Sequence, residues 1–180
     1  MLAEKLNKYT KEDYYALPEG THAELINGTI YDMSPAPLRI HQELSMSISN
    51  EIYNYVRKNN GNCKVYSAPF DVELSDDTVV QPDISVICDT NKLTDKGCTG
   101  APDWIVEITS SNAFHDYGTK LVLYKNYGVK EYWIVNPNDK MVTVYTFGDE
   151  FDVKFYNFTN SIPVGIYNGK LEINIDELLK

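Results

Sequence analysis

Arginine is scarce in this sequence, and acidic residues outnumber basic ones. Of the 16 lysine and arginine residues, only Arg39 and Arg57 are arginines. Aspartate and glutamate together number 26, which gives a formal net charge of −10. A net-acidic surface repels a phosphate backbone unless local basic patches offset it. Contacts from arginine to guanine are the commonest base-specific contacts in the major groove. The composition therefore counts against a broadly basic nucleic-acid surface and against strict base readout by this chain alone.

Long apolar runs and paired cysteines are also missing. No run approaches the roughly 18 apolar residues of a membrane span, and the polar N-terminus lacks the apolar core of a signal peptide. The three cysteines, Cys63, Cys88 and Cys98, are an odd number without C-x-x-C spacing. That pattern predicts buried or idle thiols in a reducing compartment, so we expect a cytoplasmic protein. The three histidines match no zinc spacing.

The length and composition are those of an ordinary globular protein. The chain has 180 residues, of which 43% are hydrophobic and 23% charged. These values predict a single domain over residues 1–180 that can bury a proper core.

Periodicity in the first third predicts a helix, a hairpin and a second helix. Thr10 can cap a short helix, since Asp13 follows three residues later. The Asn-Gly pair at 27–28 predicts a hairpin with strands at about 23–26 and 29–33. After the break at SPAP, apolar residues recur every fourth position over 38–58, which predicts an amphipathic helix.

The remainder alternates strands with one further helix. NCKVYSAPFDVEL and VVQPDISVI are expected as two strands around SDDT, followed by a surface loop, DTNKLTDKGCTGAP. DWIVEIT is expected as a central strand covered on both faces. SSN can cap the next helix, whose apolar stripe is Phe114, Tyr117, Leu121 and Tyr124. Further strands follow in KEYWIVNP, MVTVYTF, FDVKFYNF and LEINIDELL. The pattern predicts an α/β core, a mixed sheet flanked by helices, with added antiparallel strands.

Glu107 interrupts the most apolar strand, with Ile105 on its own face and Val106 and Ile108 on the other. A buried, unpaired carboxylate is costly and takes up a proton unless a cation faces it. The partner can be a basic side chain or a metal. The alternatives without chemistry are a strand-end glutamate in water and a structural salt bridge.

The dipeptide Pro-Asp opens two of the predicted strands, at Asp83 and at Asp103. Asp103 lies four residues before Glu107 on one strand, about 13 Å away, so the two cannot share a metal. Asp83 belongs to another strand and can be brought beside Glu107 by sheet pairing. Two carboxylates on neighbouring strands suit a hard cation such as Mg²⁺ or Mn²⁺. Asp103 is expected only to start its strand.

Lys120 can reach Glu107 if the helix after the central strand packs back on the sheet. The strand runs on about 10 Å beyond Glu107, and a helix over 112–120 returns about 12 Å. A lysine there can orient or deprotonate an attacking water. Alternatively, Lys120 is a surface residue that pairs with Asp116 four positions earlier.

Taken together, these residues resemble the PD-(D/E)XK nuclease superfamily and, more closely, the Uma-type restriction endonuclease family of bacteria. The resemblance is carried by AELINGTIYDMSP, VVQPDISVI, GAPDWIVEITSSN, DYGTKLVLYKNYGVKEYWIVNP and LEINIDELL, in order from about residue 9 onward. It implies a restriction-endonuclease-like fold and metal-dependent hydrolysis of phosphodiester bonds in DNA, with Mg²⁺ or Mn²⁺ as cofactor.

By position, the resemblance assigns Asp83, Glu107 and Lys120 as catalytic residues. Asp83, Glu107 and the backbone carbonyl of Ile108 would hold the metal. Thr109 stands where the superfamily's basic pattern has its lysine, so Lys120 would act from the following helix. A further set is expected in the cleft or supporting it: Glu24, His41, Asp116 and Tyr124.

Other functions stay open at this point. The chain can be a catalytically silent relative that binds nucleic acid or regulates, or a phosphoesterase that acts on nucleotides or RNA. His41 can equally be a satisfied histidine at a helix start. Because fourteen tyrosines are more than a core of this size readily hides, we also expect self-association, most simply as a homodimer.

Overall fold

The computed structural model describes residues 8–33, 38–109, 116–148 and 150–180. Within these ranges four α-helices, α1 to α4, span Lys11–Tyr15, Arg39–Lys58, Leu121–Tyr127 and Ile175–Leu178. The strands found there, β1 to β13, span Ala23–Ile26, Thr29–Asp32, Lys64–Ser67, Asp71–Ser75, Thr78–Val80, Ile84–Ile87, Gly97–Thr99, Trp104–Ile108, Glu131–Asn136, Met141–Phe147, Phe151–Asn157, Ile162–Pro163 and Glu172–Ile173.

Two mixed sheets form the framework. The larger has the strand order β11-β10-β9-β8-β6-β3, and the smaller has the order β2-β1-β5-β4-β7. β8 pairs parallel to β9, and β4 pairs parallel to β7. The other neighbours in both sheets are antiparallel. The predicted class, a mixed α/β fold with added antiparallel strands, is confirmed.

Helix α2 covers one face of the larger sheet. Its residues Leu44, Ile48 and Ile52 are fully buried, as the spacing of four predicts. They pack with Val106 and Trp133 in one apolar core. The predicted helix over 38–58 is confirmed, and its buried stripe fixes it against the sheet.

The other face of the larger sheet packs against the smaller sheet and α3. Ile105 and Ile134 from the larger sheet share a core with Val72 and Val80 from the smaller one. Every residue of β8 is buried, which confirms the prediction of a central, doubly covered strand.

The N-terminal predictions are confirmed as well. Thr10 and Asp13 form a reciprocal capping box at the start of α1. Asn27 and Gly28 both have positive φ, 51° and 79°, and β1 pairs with β2 across them. A side chain on Gly28 would meet Lys8 at 2.6 Å, so this turn needs glycine for space as well as for conformation.

The segment from 63 to 99 differs from the prediction. It contains four strands before residue 88, not two, because Pro69 and Pro82 interrupt the apolar runs and send β4 and β5 into the smaller sheet. The expected surface loop also contributes β7, where a side chain on Gly97 would meet the carbonyl oxygen of Asp71 at 2.0 Å. A strand of three residues, one of them glycine, is too short to show the alternation of apolar and polar residues by which strands are predicted.

The segment that carries Lys120 begins as a π-helix over Asp116–Lys120, before α3. A π-turn holds more residues than an α-turn, so the period of 3.6 fails across it. Tyr117 of the predicted stripe is 37% exposed, and Lys120 is buried at 6%. Phe114, the SSN cap, SPAP and the first seven residues lie outside the described part of the chain.

The prediction of free thiols is wrong for Cys63 and Cys88 and is confirmed for Cys98. Cys63, just before β3, and Cys88, just after β6, form a disulfide, and Cys98 is free and buried. The antiparallel pairing of β3 with β6 sets Lys64 opposite Ile87 and so brings the flanking cysteines together.

Among the described helices, none is long and apolar enough to cross a bilayer. The cytoplasmic location stays a prediction.

Candidate active site

Strand pairing places Asp83 beside Glu107. β6 runs antiparallel to β8 with Ile84 opposite Val106, so one further step sets Asp83 opposite Glu107. The amide of Asp83 lies 3.4 Å from Oε2 of Glu107. Asp83 and Glu107 therefore lie side by side where β6 begins and β8 ends, as the sequence predicts.

Asp83 is held by the end of β8 and by the start of α2. The amide of Ile108 donates to Oδ2 of Asp83 at 2.7 Å, and Nε2 of His41 lies 3.0 Å from the same oxygen. His41 and Asp83 are both largely buried, at 13% and 17% side-chain exposure. The structure thus joins His41, two residues into α2, to the predicted metal ligands.

Glu107 is buried, at 4% exposure, and two donors meet at one of its oxygens. Nζ of Lys120 lies 3.0 Å from Oε1, and the hydroxyl of Tyr124 donates to the same oxygen at 2.8 Å. Lys120 and Tyr124 lie one helical turn apart on the buried face of the π-helix and α3. Oε2 is left on the side of Asp83.

Lys120 joins the two sheets. Besides Glu107 of the larger sheet it contacts Oε1 of Glu24, on β1 of the smaller sheet, at 3.1 Å. Asp116 is more distant, at 4.0 Å. The alternative of a surface lysine paired mainly with Asp116 does not hold, because Lys120 is buried between two closer carboxylates.

Gln81 was not anticipated from the sequence, although it stands two residues before Asp83. Its backbone N–H donates to Oε1 of Glu24 at 2.9 Å. Its side-chain nitrogen donates to Asp71 at 2.8 Å and lies 3.2 Å from the hydroxyl of Tyr14. Gln81 thereby fixes the second carboxylate that faces Lys120. The only sequence signal was its place inside the VVQPD run.

Asp103, in the second Pro-Asp pair, lies at the opposite end of β8, where its contacts are structural. Its carboxylate accepts the amide of Cys88 at 2.7 Å and pairs with Lys130 at 2.6 Å. Its carbonyl accepts the amides of Lys130 and Glu131. Asp103 therefore anchors the starts of β8 and β9, away from Glu107.

The electrostatics of the site show an excess of negative charge. Burial raises the pKa of Glu107 to about 8, against the lowering effect of Lys120, and the carboxylates of Asp83, Asp116 and Glu24 add to the rise. Burial lowers the pKa of Lys120, but the carboxylates of Glu107, Glu24 and Asp116 outweigh it and hold that pKa well above its usual value.

The pKa of His41 is raised in the same way. Burial lowers it, and the hydrogen bond to Asp83 and the backbone of Ile108 outweigh that effect. One lysine and one histidine thus face four carboxylates, a balance that favours an additional cation.

The donor set fits a hard divalent ion. Asp83, Glu107 and the Ile108 carbonyl offer oxygen donors only, which is the preference of Mg²⁺ and Mn²⁺. In the described ranges, no group of three or more His, Cys, Asp or Glu side chains is arranged to hold a metal. A site here would rest on two carboxylates, a carbonyl, waters and substrate, which is how magnesium is commonly bound.

Comparison with known proteins found one family and a similar solved structure. A model of the family described as "Uma2: Putative restriction endonuclease" matches residues 11–164. No curated protein matches the chain. The structure is similar to a crystal structure described as "a putative nuclease belonging to DUF820", from Anabaena variabilis. The sequences are 25% identical, the TM-score is 0.74, and the alignment covers 94% of this chain and 97% of the other.

Proposed function

The chain belongs to the Uma2 putative restriction endonuclease family, and from this we propose that it is a Mg²⁺- or Mn²⁺-dependent endonuclease that hydrolyses phosphodiester bonds in DNA. The observation that carries the proposal is the meeting of Asp83, Glu107 and Lys120. Three separate parts of the chain, β6, β8 and the π-helix, bring these residues together at one sheet edge.

Asp83, Glu107 and the carbonyl of Ile108 are the groups that would hold the metal. A divalent ion held there would polarise a phosphate oxygen and acidify a water. The protein's part is to present oxygen donors in a fixed arrangement. The Ile108 amide does this for Asp83 at 2.7 Å, and the Tyr124 hydroxyl does it for Glu107 at 2.8 Å.

Lys120 acts as a hydrogen-bond donor and a positive charge. Since its pKa is raised, it keeps its proton at neutral pH and does not take one from water. It is therefore suited to orient the attacking water and to stabilise the negative charge that develops on the phosphate oxygens. Glu24 and Glu107 fix its position at 3.1 and 3.0 Å.

Glu24, His41, Asp116 and Tyr124 support this set without contacting the phosphate. Glu24 and Asp116 hold Lys120, and His41 orients Asp83 through the 3.0 Å contact. Partners of this kind fix the orientation of metal ligands and tune their basicity.

Sequence specificity is proposed to be low. Of the two arginines, Arg39 is paired with Glu43 on the same helix, and the net charge is −10. A chain with so few guanine-reading side chains relies on phosphate contacts or on a partner for its choice of site.

A cleavage assay tests the proposal. Supercoiled plasmid, linear duplex and RNA are incubated with the protein and Mn²⁺ or Mg²⁺, and with Glu107→Gln and Asp83→Asn. Asp103→Asn is the matched control, because it alters the other Pro-Asp pair. We expect metal-dependent DNA cleavage that both site variants abolish and the control retains. Binding of DNA without cleavage by the wild type would favour the silent module, and cleavage by both site variants would refute the assignment.

A further inference from the structure

β11 ends the six-stranded sheet, and its outer side is exposed. Among the described residues no strand pairs with that side. Phe151 and Phe155 are 50% and 66% exposed. Asp152 and Lys154 pair with each other along the strand at 3.3 Å, and their side chains are 54% and 61% exposed. An edge strand presents unpaired N–H and C=O groups, which are a template for a further strand unless something covers them.

The backbone groups available at this edge belong to alternate residues. The amide of Phe158 donates to the carbonyl of Lys140 at 3.0 Å, one step beyond the pairing of Asn157 with Met141. In an antiparallel pair, a residue directs both backbone groups to one side and its neighbours direct theirs to the other. Residues 152, 154, 156 and 158 therefore bond β10, and the N–H and C=O groups of 151, 153 and 155 point outward.

The sequence of the strand, FDVKF, is complementary to itself when a second copy runs antiparallel. Centred on Val153, the pairing sets Asp152 opposite Lys154 of the other copy and Phe151 opposite its Phe155. A register centred on residue 152 would set Asp152 against itself, and one centred on residue 154 would set Lys154 against itself. Opposite charges across a strand pair stabilise and like charges destabilise. Charge thus selects the register centred on Val153.

We propose that β11 is a self-association edge at which two copies of this chain pair antiparallel about Val153. In that register residues 151, 153 and 155 of each copy exchange backbone hydrogen bonds, so the two larger sheets become one. Phe151 and Phe155 of both copies then lie on one face, next to Phe147, whose ring centroid is 6.0 Å from that of Phe151. The paired strand contains none of the residues that contact Glu107.

Charge exchange tests the pairing directly. Asp152→Lys and Lys154→Asp are compared with the wild type and with the double exchange by sedimentation equilibrium. We expect a wild-type dimer, at least about tenfold weaker association of each single variant, and restored dimers in an equimolar mixture of the two. The double exchange is also expected to dimerise. A wild type that stays monomeric, or single variants that dimerise like it, would overturn the proposal.

Amide hydrogen exchange gives a second readout without mutation. At high protein concentration the amides of Phe151, Val153 and Phe155 should be protected, and on dilution they should exchange faster. The amides of Asp152 and Lys154 bond β10 and serve as an internal control that does not respond to dilution. Exchange at all five positions that ignores concentration would contradict pairing at this edge.

Discussion

The amide of Asp83 points at Oε2 of Glu107 across two antiparallel strands, at 3.4 Å. The contact is long, and the second oxygen of Glu107 already accepts from Lys120 and Tyr124. Oε2 of Glu107 therefore lies on the side of Asp83, whose own carboxylate contacts His41 and the Ile108 amide. Repulsion between such neighbours is relieved when a cation binds both.

The first prediction concerns metal affinity. Asp83→Asn should weaken Mn²⁺ binding by about a hundredfold or more, because even partners of metal ligands cost 10–100-fold when removed. Isothermal titration calorimetry measures this. Asp103→Asn, at the other end of β8, should bind Mn²⁺ like the wild type. Equal affinity in Asp83→Asn and the wild type would remove Asp83 from the site.

The second prediction concerns the buried lysine. Lys120→Met should lower the free energy of unfolding by about 3–5 kcal/mol, because Glu24 and Glu107 lose their common cation. Urea denaturation measures the loss. Adding Glu24→Gln should recover part of the stability and none of the cleavage activity. A Lys120→Met variant as stable as the wild type would mean that these carboxylates are neutral in the folded protein.

The third prediction concerns the disulfide. The bond between Cys63 and Cys88 closes a loop across a sequence separation of 25, which corresponds to about 3–4 kcal/mol of stabilisation by restriction of the unfolded chain. Reductant should lower the free energy of unfolding of the wild type, measured by urea denaturation, by about that amount. Cys63→Ser should start at the lower value and not respond to reductant. If the wild type does not respond either, the two thiols are unlinked in solution.

The fourth prediction concerns acid stability. Burial raises the pKa of Asp103, but Lys130 and the Cys88 amide outweigh it and lower that pKa below its usual value. The carboxylate therefore stabilises the fold fully above its unfolded pKa of about 3.9, and loses this contribution as the pH falls through the lower folded value.

Asp103→Asn should accordingly be less stable than the wild type at pH 7, and the gap should narrow below about pH 4. Urea denaturation across the pH range measures it. Asp95→Asn, at an exposed position, should show no such gap at any pH. A gap that widens in acid would reverse the sign we assign to the Asp103 pKa.

Regular periodicity made the main elements predictable. α2 repeats apolar residues every fourth position, and the Asn27-Gly28 turn has one common outcome, so both agree with the structure. The run around Glu107 was equally clear, since a single polar residue in a strand covered on both faces must have a partner. Strand spacing allowed Asp83 to lie beside it, the family resemblance assigned both residues to one site, and the pairing of β6 with β8 brings them together.

Features that depend on distant parts of the chain escaped prediction. The family resemblance placed Glu24 at the cleft, but its contact with Lys120 depends on the packing of the two sheets, which no local pattern reports. The disulfide follows from the pairing of β3 with β6, which the sequence does not specify. The π-helix before α3 was not predicted, and Tyr117 of the predicted apolar stripe is 37% exposed within it.

Because Lys120 lies between carboxylates of both sheets, the proposed activity would require both sheets to be formed and packed together. A folding intermediate with only one formed sheet would have the lysine held from one side, and its geometry would be lost. Glu24 is synthesised early and Lys120 much later, so a growing chain lacks a complete site until both sheets have docked. Catalysis, once measured, would therefore report on the tertiary structure of the whole molecule.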